Sequence, residues 1–159
     1  MMQEMFSNII CSFLGTIAYA VMYNVPKKYY VGCGFTGMMG WLVYCFAERK
    51  EVLSSIVACF FGALAVVLIA RTLSVKMKCP ITIFLISGIF PLVPGAKVYN
   101  TVYYLVMNDR TLASAMGMQA IKMAFAIVVG IVIGVSIPKE IFNPLYWQKR
   151  YFAKVERPE

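Results

Sequence analysis

Five consecutive residues, Pro91-Leu92-Val93-Pro94-Gly95, carry the most chemical meaning in this chain, because they interrupt an apolar stretch. Proline cannot continue a helical hydrogen-bond ladder, so the segment predicts a short helix, an unwound turn, then a second helix or half-helix. In hydrocarbon an unpaired backbone group is costly, and non-helical chain persists only where protein buries it or where it lines a wet cavity. A helix beginning just after Gly95 would aim its first N–H groups and the positive end of its dipole at an anion such as a carboxylate. Lys97, Tyr99, Asn100 and Thr101 fall in that first turn. Pro91, Pro94, Gly95, Lys97, Tyr99 and Asn100 are therefore candidate substrate-binding residues. A plain connecting loop outside the membrane is the other reading, and the residues alone leave both open.

Lys122 is the one charge inside an otherwise apolar span. It lies roughly seven residues, or ~10 Å, from the expected start of its helix, so it either snorkels to the interface or stands on a solute pathway. It joins the candidate list on the second reading. Much other chemistry is excluded. The chain has no histidine, which removes His-centred acid–base work and His-ligated metal sites. Cys11, Cys33, Cys45, Cys59 and Cys79 stand alone, with no CxxC pair, and read as packing residues. No phosphate-binding loop or nicotinamide fingerprint is present. No catalytic residue, metal or cofactor is expected, and the chain does not read as an enzyme. Nor is there a pair of intramembrane carboxylates. A proton-coupled transporter normally carries its own titratable group in the membrane, so coupling is either not to protons or depends on a partner.

These residues must be positioned by membrane helices. Of the 159 residues, 61% are hydrophobic and 14% charged, with a mean hydropathy of +0.75. A soluble domain averages roughly 45–50% apolar and about 25% charged. The charges are also clustered. Uncharged runs of 22, 19 and 19 residues separate Glu4 from Lys27, Lys28 from Glu48, and Glu51 from Arg71. About 20 apolar residues cross a ~30 Å hydrocarbon core. The expectation is an all-α, polytopic helix bundle with about five transmembrane helices, one of them interrupted by the P-x-x-P-G break. The spans are placed at about Met5–Tyr23, Tyr29–Ala47, Val52–Ala70, the interrupted segment between Cys79 and Asn108, and Ala115–Ile137. Arg71 to Lys78 reads as a basic connection.

The first run is longer than a secretory core and lacks Lys or Arg before it, so it reads as a retained helix. Residues 1–138 are expected to form one transmembrane domain, and 139–159 a basic, aromatic cytoplasmic tail of the kind that lies on a membrane surface. Glycines at Gly32, Gly37 and Gly40 in the second span, and at Gly130 and Gly134 in the last, expose backbone for close helix packing. Such small-residue faces also predict an oligomer, most simply a hetero-oligomer. With five crossings, ten Lys and Arg lie on one side and four on the other; with the break as a re-entrant hairpin the split is seven to seven. The positive-inside rule therefore favours five crossings with the C-terminus in the cytoplasm. The basic residues flank apolar runs, which points to anionic lipid and not to nucleic acid.

Several elements together resemble the threonine/serine exporter family, specifically its small, YjjB-like (ThrE_2-type) subunit. They are the exit Tyr23-Asn24-Val25-Pro26, the Gly-containing second span, the element Pro91, Pro94, Gly95 followed by Tyr99, and the final Ser136-Ile137-Pro138. Lys97 and Lys122 are not part of that pattern. The resemblance implies export of small metabolites across the inner membrane: threonine and serine in fused members, dicarboxylates such as succinate in split members. It also implies a larger YjjP-like membrane subunit as partner. The alternative is a structural subunit that scaffolds the partner and touches no substrate. Polar residues around the break that share a cavity favour transport; an apolar break plugged into a neighbour favours the scaffold.

Overall fold

The computed structural model describes residues 2–49 and 54–138; the predicted tail, with Trp147, Lys149 and Arg150, lies outside them. Six α-helices follow one another: α1 (Met2–Met22), α2 (Tyr30–Arg49), α3 (Ser55–Met77), α4 (Thr82–Ile89), α5 (Gly95–Val106) and α6 (Arg110–Ser136). Short 3-10 turns occupy Lys27–Tyr29 and Phe90–Leu92, and no strand is present among the described residues. The helix ends have local causes. Asn24 and Asn108 adopt left-handed backbone (φ 53° and 60°), which asparagine tolerates better than most residues and which stops α1 and α5. Lys78 (φ 50°) closes α3 by donating its N–H to Ser74 O. Asp109 opens α6, its carboxylate accepting from the Leu112 N–H at 3.1 Å. That cap starts α6 at Arg110, earlier than the expected Ala115.

The third helix also corrects the sequence reading. It does not end at Ala70 but continues to Met77, carrying Arg71 inside it. Arg71 is only 6% exposed, and its two terminal nitrogens donate to the carbonyl oxygens of Val135 and Ile137 at the end of α6. A charge satisfied in this way does not have to end a helix, so the basic connection shrinks to the turn after Met77.

Among the described residues, three helices are long and apolar enough to cross a membrane: Lys27–Glu48, counting the preceding turn, Ser55–Met77 and Arg110–Ser136. The pair Thr82–Leu92 and Gly95–Val106 supplies a fourth as a broken span, bent by 46°. A hairpin needs near reversal, and 46° is a bend. In α1 the apolar stretch is Ser7–Met22, within a helix of 21 residues that measures about 30 Å at 1.5 Å per residue. About five membrane-crossing segments therefore fit the fold.

α3 is the central helix, packed by α2, α4 and α6, with α1 on the far side of α2 and α5 against α6. Its buried face is mostly small: Ala58, Cys59, Gly62, Ala63, Val66, Val67 and Ala70. Without a hydrophobic driving force between helices in lipid, close van der Waals packing must hold them together. The glycines permit it. A Cβ on Gly130 would sit 2.9 Å from the Phe60 backbone oxygen, and one on Gly134 2.6 Å from Val67. A Cβ on Gly32 would meet the Phe84 ring at 2.7 Å, one on Gly37 would overlap the Thr16 hydroxyl, and one on Gly40 the Val66 side chain. All five glycine faces are filled from within the chain, so they are not open to a partner helix, and the argument from them to an oligomer lapses.

Candidate functional site

The break forms as its residues dictate. α4 ends at Ile89, Pro91 sits in the 3-10 turn, and α5 begins at Gly95 itself with Pro94 as its cap residue. Its two sides face different surroundings. Leu92, 3% exposed, plugs the notch left by Gly40 and Gly62; a Cβ on Gly62 would lie 2.9 Å from its methyl carbon. Leu92 thus joins Cys59, Ala63, Val66, Met123 and Ile127 in one apolar cluster and anchors the unwound chain.

Phe90 and Pro91 turn the other way, onto a groove of about 220 Å³ between α1, α2 and the break. α1 lines it with Asn8, Cys11, Ser12, Gly15 and Thr16, and α2 contributes Trp41. Asn8, Ser12 and Thr16 are four residues apart, so helical periodicity stacks them on one face. Thr16 donates to Ser12 O at 2.7 Å and Ser12 to Gly37 O at 3.3 Å, which leaves the hydroxyl oxygens able to accept. Trp41 stacks on Tyr44 (centroids 5.2 Å apart), and its buried Nε1 donates to no acceptor among the described residues. Gly15 keeps the groove open: a Cβ there meets nothing within 4 Å. The groove is lined by no charged residue among those described, so it offers neutral donors and acceptors to a small polar solute beside the helix break.

Of the candidate substrate-binding residues, only Pro91 lies on this groove, and Cys11, read as a packing residue, lines it as well. Gly95 is exposed, and an added Cβ there would meet open space. The N–H groups expected to face an anion are partly committed: Gly95 donates to Val93 O at 2.7 Å and Lys97 to Pro94 O at 3.1 Å. Lys97 and Asn100 are half-buried on α5, and Lys97 O accepts from Thr101 at 2.7 Å. Tyr99 is 69% exposed and stacks on Tyr103 with centroids 6.4 Å apart. Lys122 is exposed on α6, a helix that does not line the groove. The sequence reading missed Asn8, Ser12, Thr16 and Trp41. Asn8, Ser12 and Thr16 recur every fourth position in the first helix, but that spacing says nothing of the meeting with α2 that brings Trp41 to them.

No group of three or more His, Cys, Asp or Glu side chains able to hold a metal occurs among the described residues. A helical bundle of this hydropathy, with one span broken next to a polar groove, defines a multi-pass membrane protein. The family model "Threonine/Serine exporter, ThrE" (ThrE_2) matches residues 8–137, and the chain belongs to that family of membrane exporters. No curated protein and no solved structure matches the chain.

Proposed function

We propose that this chain is the small subunit of a two-component inner-membrane exporter of small carboxylate metabolites, either dicarboxylates such as succinate or the amino acids threonine and serine. The groove beside the break carries the reading. It combines polar side chains from α1 and α2 with an unwound segment at bilayer depth, the arrangement by which transporters build solute sites without burying full charges. Pro91 borders the solute, and Pro94, Gly95, Lys97, Tyr99 and Asn100 form the approach along the start of α5. Lys122, exposed on α6 outside the groove, adds positive charge that attracts a carboxylate from a distance. The groove opens on the side of the bundle, where Cys11 and Phe90 are exposed, and a larger YjjP-like subunit seated there would close it. That partner also supplies the titratable group that this chain lacks. The C-terminal tail lies in the cytoplasm.

Leu92 in its glycine notch favours a second reading, in which the break is a packing device and the chain scaffolds its partner. Efflux separates the two. Cells loaded with labelled succinate or threonine should export it when both subunits are expressed and not with either alone. Normal export by a complex whose groove residues Ser12, Thr16 and Trp41 are replaced by apolar side chains would establish the scaffold.

A further inference from the structure

A second cavity, of about 270 Å³, lies at the opposite end of the unwound span from α5, where α3 turns into α4. Arg71 and Ser74 line it from α3, Cys79 and Ile81 from the turn, and Val135 from α6. Arg71 brings a full positive charge into the bundle and is 6% exposed. Arg71 lies inside the candidate membrane span Ser55–Met77, and an ionisable residue within such a span is a functional-site candidate. Its guanidinium donates to Val135 O and Ile137 O, so one side chain both borders the cavity and holds the end of α6. Lys27, Lys28 and Lys78 on the turns, and Lys76 in the last turn of α3, are exposed at this same end of the bundle. Such a cluster raises the local positive potential and draws small anions from solution.

The geometry points to this cavity as a binding site for the carboxylate of a small soluble solute, with Arg71 as its receptor. The planar guanidinium fork matches a carboxylate with two parallel hydrogen bonds, and the Ser74 hydroxyl stands on the same wall. The solute and the end of α6 then compete for one guanidinium. A carboxylate that takes the fork from the Val135 and Ile137 carbonyls releases the end of α6, so occupancy and helix position are coupled through contacts that differ between the two states. The inference rests on the export reading above and gives it a docking point at the basic end of the bundle.

Two native thiols read the two cavities separately: Cys79 lines this one and Cys11 lines the groove. The full chain in phosphatidylcholine nanodiscs is alkylated with N-ethylmaleimide, and peptide mass spectrometry follows each cysteine. Succinate or threonine should slow alkylation of Cys79, while sodium chloride at equal ionic strength should not. Arg71→Lys keeps the charge but loses the fork, and should raise the half-protecting concentration about tenfold, as loss of one charge-assisted hydrogen bond does. Arg71→Gln should abolish protection. Protection of Cys11 alone overturns the inference and leaves the export reading standing; protection of neither cysteine overturns the inference, and the two-subunit efflux test above decides the export reading. If phosphatidylglycerol in the nanodisc protects Cys79 and succinate does not, the cavity belongs to a lipid headgroup and the inference is wrong. It is equally wrong if Arg71→Lys lowers the thermal midpoint but leaves the half-protecting concentration unchanged, because Arg71 is then only a clamp.

Discussion

Gly95 and Lys97 carry different burdens at the start of α5. A side chain added at Gly95 meets open space, so Gly95→Leu should insert and fold like the unmodified chain. If solute approaches the backbone there, the variant should nevertheless lose export, as tracer efflux from a correctly assembled complex would show. Lys97→Ala should raise the apparent KM for succinate more than for threonine, because the lysine acts on net negative charge. Tyr99→Phe and Asn100→Ala should act more mildly, each removing a contact worth about 0.5–1.5 kcal/mol. The break itself was legible from its prolines, since their backbone effect is local. Asn8, Ser12, Thr16 and Trp41 were not singled out, because what makes them a site is the meeting of α1 with α2, which no local pattern states.

Among the elements, the α3–α6 contact is the tightest test of the packing. Gly130 lies against the Phe60 backbone oxygen, which has no rotamer by which to yield. Gly130→Leu should therefore force the helices apart and destabilise the chain by about 1–3 kcal/mol or more, seen as a lower thermal midpoint in detergent. Arg71→Ala should also destabilise the chain, by about 1.5–3 kcal/mol, through loss of charged hydrogen bonds to the end of α6. Helix existence was legible from uncharged runs, but helix ends were not. A charge at position 71 looked like an exit because its acceptors, Val135 and Ile137, are contributed by a helix more than sixty residues away.

For the whole molecule, the charge asymmetry predicts five crossings with the tail in the cytoplasm. A reporter fused after Glu159 should read as cytoplasmic, and an extracytoplasmic signal would overturn that orientation. The case for a partner now rests on the groove between α1, α2 and the break, which no other helix among the described residues lines. It no longer rests on the glycine faces, which the bundle fills itself.

The central claim is that the groove beside the break belongs to the solute path, and Gly15 tests it with least disturbance. Its position lines the groove, and a Cβ there touches nothing. Replacing a glycine inside a helix by leucine should favour the helix by up to about 1 kcal/mol. The decisive measurement is tracer efflux of succinate and threonine from cells expressing Gly15→Leu with the larger subunit, alongside its thermal midpoint. The account predicts export reduced at least tenfold with a midpoint equal to or above that of the unmodified chain. Full export from a groove filled in this way would contradict it.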